Sequence, residues 1–143
     1  MPIYLDNAAT TPVCPQAAQA AFEVMTEGYG NPSSGYELGR QAAPRLEADR
    51  AAVAQRLGCG PEELTFVSCG TEGDNWSVLA AAERGKRLGK HIVATAIEHA
   101  AVLEPVKALA ARGYEVTWLR PDRTGHVSAD SLRAALRKDT VLV

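Results

Sequence analysis

No stretch of this 143-residue chain approaches the roughly 20 consecutive apolar residues that a membrane-spanning helix needs, so no membrane span is expected. Excess charge is lacking too. The 15 Lys and Arg nearly balance 17 Asp and Glu, and a net charge of −2 argues against nucleic acid or an acidic surface as partner. Cysteine is sparse: Cys14, Cys59 and Cys69 have a spacing that fits no tetrahedral metal motif, so no metal site is expected. With no signal peptide, they read as reduced thiols of a cytoplasmic protein. No internal repeat or low-complexity stretch occurs. Neither G-x-x-x-x-G-K-[ST] nor G-x-G-x-x-G is present, which removes two common phosphate-binding fingerprints. What remains is a globular chain, 46% hydrophobic, able to bury one core.

Its most informative stretch is LTFVSCGTEGDNW, Leu64 to Trp76, where an apolar, strand-like run breaks into a Gly-bearing loop and opens a helix. The first turn of a helix leaves backbone N–H groups without partners, and the macrodipole places partial positive charge there. An anion, phosphate in particular, is well placed beside Cys69, Gly70 and Thr71. Gly70 permits close backbone approach and Thr71 adds a hydroxyl. The plainer alternative is that Thr71 or Ser68 simply caps the helix.

A second stretch bears on the first. HIVATA, His91 to Ala96, reads as a buried strand, and Val102, Leu103, Val106, Leu109 and Ala110 repeat with a helical period. His99 therefore follows a strand end, where ligands sit in open α/β sheets and where the loop carrying Gly70 and Thr71 is also expected. A lone histidine can equally be structural.

The remaining pattern is of the α/β class. A strand-like entry at Ile3 to Leu5 leads to a helix from about Pro15 to Thr26, with Ala18, Ala21, Phe22 and Met25 on one apolar face. A second helix runs to Leu57, and Pro44 within it reads as a first-turn residue or a kink. Strand 64–67, helix 72–88, strand 91–96, helix 101–111, strand 115–119 and helix 131–137 then alternate. Thr140 to Val143 opens another strand, and a chain stopping there reads as the amino-terminal portion of a longer protein with an incomplete sheet.

Five runs in order, YLDNAATTPV (4–13), YGNPSS (29–34), TFVSCGTEGDN (65–75), AIEHAAVLEP (96–105) and GYEVTWLRPDRTGHV (113–127), together resemble the amino-terminal part of cysteine desulfurases. These are pyridoxal-phosphate (PLP) enzymes of the class V aminotransferase group, of fold type I. The resemblance implies that residues 15–143 are the first part of the large PLP-binding domain and that residues 1–14 pack with the small domain of the complete enzyme. It implies that Gly70 and Thr71 bind the cofactor phosphate, and that His99 stacks over the pyridine ring and moves a proton on the substrate. An imidazole suits that role, being flat and titrating near neutrality. The 6–11 motif, which lies near cofactor and substrate in the family, is first expected to organise a turn.

The implied activity of the complete protein converts L-cysteine to L-alanine and passes sulfur on as an enzyme persulfide, for iron–sulfur cluster or thio-cofactor assembly. A homodimer and a sulfur-acceptor or iron–sulfur scaffold protein are the implied partners. Some positions depart from the family pattern: Tyr36 stands where a histidine is usual, Gly73 replaces a common serine, and Cys69 replaces a small residue. The family's cofactor-anchoring lysine, its aspartate on the pyridine nitrogen and its mobile cysteine all lie in later sequence. Lys86, Lys90, Lys107 and Lys138 match no such lysine, and none of the three cysteines matches the sulfur carrier. The 143 residues alone are therefore expected to be inactive. Competing readings are a non-catalytic interaction module and another class V enzyme, such as a selenocysteine lyase or an aminotransferase.

Overall fold

The computed structural model describes residues 3–143. The first two residues of the expected 1–14 segment lie outside the described residues. Two compact units, Met1–Thr65 and Phe66–Val143, make up the chain.

In the first unit, Tyr4 closes a turn: its phenol oxygen lies 2.7 Å from the Asp6 carbonyl and 3.0 Å from the Thr10 carbonyl. The Asp6 carbonyl also accepts the Ala9 N–H at 3.1 Å, so backbone and Tyr4 build this turn. No strand forms at Ile3 to Leu5. Helix α1 (Pro15–Thr26) has proline in its first turn, where the missing N–H costs nothing. Its predicted apolar face forms but is not buried: Phe22 is 56% and Met25 70% exposed. Periodicity tells which residues share a face, and only a neighbouring element can cover it.

Helix α2 (Glu37–Leu57) ends at Gly58, whose φ of 74° is the left-handed conformation that closes helices with least strain in glycine. Pro44 stands eight residues in, which corrects the first-turn reading; its missing N–H leaves the Arg40 carbonyl without a ladder donor. A 3₁₀ turn, Pro61–Glu63, follows, and the Arg50 guanidinium donates to the Leu64 carbonyl at 2.7 Å.

The second unit carries α3 (Gly70–Gly85), β1 (His91–Thr95), α4 (Ala100–Ala111), β2 (Glu115–Leu119), α5 (Ala129–Ala135) and β3 (Thr140–Leu142). The three strands form a parallel sheet in the order β2-β1-β3. Residues 64–67 are no strand of it, contrary to the reading of the apolar run. A strand needs a paired neighbour, and composition supplies only the tendency.

Helices α3 and α4 pack together and bury one core of Val78, Ala82, Ile92, Val106 and Leu109. Gly85 fits because β3 passes close: a Cβ there would stand 2.6 Å from Val141 Cβ. His91, fully buried, spans the sheet, with Nδ1 2.7 Å from Thr140 Oγ1 on β3 and Nε2 2.8 Å from Thr117 Oγ1 on β2. Among the described residues no helix is long and apolar enough to cross a membrane.

Candidate active site

Gly70 is the first residue of α3, and Cys69, in extended backbone, is its N-cap. The Cys69 side chain makes no capping hydrogen bond, and the reading in which Thr71 or Ser68 caps the helix is corrected, since the N-cap is Cys69. Glu72 explains why. Its carboxylate, at the third helical position, turns back to accept the Ser68 N–H at 2.6 Å and the Ser68 hydroxyl at 2.7 Å. That occupies Ser68 and holds the Glu72 carboxyl below its usual pKa.

The N–H groups of Gly70, Thr71 and Glu72 have no helical carbonyl to donate to. Space above them is open: among the described residues, nothing beyond its chain neighbours and its own helix backbone comes within 4 Å of where a Gly70 Cβ would stand. Gly70 and Thr71 are both exposed. The Cys69 thiol is lowered from its ordinary value, chiefly by the Glu72 backbone N–H and then by the Ser68 hydroxyl, as the start of a helix favours a thiolate.

His99 is the N-cap of α4, four residues beyond the carboxyl end of β1. Its Nδ1 accepts the Ala101 N–H at 3.1 Å, which makes Nδ1 the unprotonated nitrogen and leaves Nε2 on the exposed side chain to carry the proton.

One residue joins the two helix starts. The side-chain nitrogen of half-buried Asn75 lies 2.9 Å from the Thr71 carbonyl and 3.0 Å from the Ala101 carbonyl. Thr71 and the turn capped by His99 therefore meet on a single amide. This meeting comes from α3 packing on α4 and not from two adjacent strand ends, because residues 64–67 form no strand. Pro105, inside α4, has no N–H for the Ala101 carbonyl four residues back, and Asn75 supplies the missing donor. The helical period over 101–111 takes no account of Pro105, the one signal in the sequence that a carbonyl there lacks its donor.

The four lysines lie elsewhere. Lys86 ends α3, about 24 Å from Gly70 at 1.5 Å per residue. Lys90 precedes β1, at the opposite end of that strand from His99, with its ammonium 5.9 Å from the Tyr114 ring centre. Lys138 precedes β3, and Lys107 pairs with Glu104 at 2.7 Å on α4. A cavity of about 430 Å³, lined by Val93, Thr95, Glu98, Leu119, Leu132 and Val143 among others, contains none of Gly70, Thr71 and His99. Its lining is mostly apolar, so it lacks the convergent donors that an anionic ligand requires.

Residues 3–143 match the aminotransferase class-V family. The chain belongs to that family. It is 44% identical over 141 residues to the cysteine desulfurase IscS of Methanosarcina thermophila, a match covering 99% of this chain and 35% of that protein. A solved NifS-like protein superposes with a TM-score of 0.89 at 37% identity, over 98% of this chain and 38% of its own. SspA, solved in complex with cysteine, gives 0.80 at 30% identity over 96% of this chain and 40% of its own. The chain thus spans little more than a third of the curated relatives it matches.

The fold is α/β, that of part of the large domain of a fold type I class V enzyme. Such enzymes generally depend on PLP, and the residues here fit one part of that cofactor. The uncapped amides at Gly70 and Thr71, the Thr71 hydroxyl and the open space at Gly70 suit a phosphate.

Proposed function

We propose that the complete protein is a PLP-dependent cysteine desulfurase that takes L-cysteine to L-alanine and hands the sulfur on as a persulfide, and that this chain supplies its phosphate cradle and its ring-facing histidine. The observation carrying this reading is the uncapped start of α3 tied through Asn75 to the turn of α4 that His99 caps. The likeness to IscS supports the choice of substrate.

In this reading the Gly70 and Thr71 amides and the Thr71 hydroxyl hold the phosphate, aided by the positive end of α3. His99 Nδ1 is engaged by the Ala101 amide, so Nε2 is the nitrogen that would exchange a proton with substrate, and the exposed imidazole would offer its face to the cofactor ring. When bound, PLP supplies the electron sink for breaking bonds at the substrate α-carbon. The anchoring lysine and sulfur-carrying cysteine come from sequence beyond this chain, and residues 1–14 pack with the small domain of the complete enzyme. The protein is a homodimer in the cytoplasm and delivers sulfur to an acceptor or iron–sulfur scaffold protein.

The test is Thr71→Ala in the complete protein. Losing one charge-assisted hydrogen bond should weaken PLP retention by about 1.5–3 kcal/mol, roughly 10- to 100-fold, read by equilibrium dialysis against limiting cofactor. Retention equal to wild type would remove Thr71 from the site.

A second reading, an interaction module without chemistry, has one observation in its favour: none of the four lysines lies at the starts of α3 and α4. It makes the 143-residue chain inactive by itself, and so does the first reading.

A further inference from the structure

Asn75 has a role that family membership does not assign. The Ala101 carbonyl belongs to the first turn of α4, and Pro105 cannot donate to it. Ala101 is buried, at 5% exposure, so its carbonyl has little access to water in compensation. Asn75 fills the vacancy from another helix, at 3.0 Å, while the same nitrogen reaches the Thr71 carbonyl at 2.9 Å. On its other side, Ala101 donates its N–H to His99 Nδ1 at 3.1 Å. A continuous path therefore runs from Thr71 through the Asn75 amide and Ala101 to the imidazole, with hydrogen bonds at each junction.

We infer that Asn75 is a positioning residue, which fixes the orientation and tautomer of His99 relative to Thr71 by exploiting the donor gap that Pro105 leaves. The inference rests on the reading that Thr71 and His99 serve one site. An α4 with an unbroken ladder would satisfy Ala101 internally and need no tie to α3. The proline makes the first turn of α4 depend on α3, and so registers the two halves of the site.

The test uses Asn75→Leu, which keeps the size and removes both donors, with Asn75→Asp as a second variant in case the first fails to fold. In the unliganded protein, the Ala101 amide should exchange about 10-fold faster, and the His99 ¹⁵N signals should move from one protonated and one accepting nitrogen toward an average. Pro105→Ala added to Asn75→Leu restores a donor within α4, so Ala101 protection should return. Residual dipolar couplings should still show α4 released from its wild-type orientation to α3. In the complete enzyme, kcat should fall about 10-fold or more in both Asn75→Leu backgrounds, with PLP retention within about two-fold of wild type, since the variant removes a bond to the Thr71 carbonyl but leaves the Gly70 and Thr71 amides and the Thr71 hydroxyl in place.

Unchanged Ala101 exchange and His99 signals in Asn75→Leu would overturn the inference. So would full recovery of both orientation and kcat on adding Pro105→Ala, which would make Asn75 a helix repair only. If the wild-type protein neither binds PLP nor turns over cysteine, the proposed function fails, while amide exchange, ¹⁵N signals and dipolar couplings still judge Asn75.

Discussion

His91 offers a sharp test of the sheet that carries the site. It is fully buried, yet both ring nitrogens are bonded, one to each flanking strand. The Thr140 hydroxyl already accepts the Arg137 N–H at 2.8 Å, an arrangement that favours giving its own proton to His91 Nδ1. Nε2 then carries the ring proton and donates to Thr117 Oγ1, a tautomer assigned from the network. Thr117→Val keeps the shape and β-branching and removes only the acceptor, leaving a buried N–H without a partner. Stranding a buried polar group costs about 1–3 kcal/mol, against about 0.5–1.5 kcal/mol for the net loss of an average hydrogen bond. The expected result is a urea midpoint lowered by that stability at unchanged m-value. In a His91→Phe background no N–H remains to be stranded, so the same Thr117→Val change should cost nearly nothing. The difference between backgrounds, about 1–3 kcal/mol, is the coupling of a double-mutant cycle. Equal costs in both backgrounds would refute the argument and reduce His91 to a space-filling ring.

His99→Ala should slow cysteine turnover by the complete enzyme about 10²–10⁴-fold while leaving cofactor absorbance largely intact; near-normal turnover would demote His99 to a helix cap. The Glu72 carboxyl, lowered by its bonds from the Ser68 N–H and hydroxyl, supports the turn before α3 at pH values above the ordinary carboxylate range. That support should be lost as pH falls through the lowered value, and the Ser68 amide resonance should follow it; a Ser68 shift that titrates at or above the normal carboxylate pKa would contradict the bonding. The 143-residue chain, given PLP and cysteine, should release no alanine or sulfide; sustained turnover with a borohydride-trapped lysine adduct would mean that Lys86, Lys90, Lys107 or Lys138 does chemistry this reading denies it.

The sequence by itself determined the elements whose signal is local. Helix α1 begins at Pro15 and ends at Thr26, and β2 runs from Glu115 to Leu119, where proline placement and apolar period located them. Strand β1 and helix α4 fall within one residue of their predicted bounds. The family was legible as well, because its motifs are runs of specific residues in a fixed order. Tertiary structure decided what depends on a neighbour. Whether 64–67 pairs as a strand, and whether Phe22 and Met25 are covered, depends on what lies beside them, and no periodicity encodes that. The same holds at the candidate site. Residues 70, 71 and 99 stand out in the sequence as types suited to anion binding and proton transfer, but Asn75 does not, since an asparagine inside a helix is ordinary. Its significance appears only when α3 packs on α4 and sets its amide against the carbonyl that Pro105 cannot satisfy. A backbone acceptor is orphaned by local sequence, whereas its donor, 26 residues away, is chosen by packing.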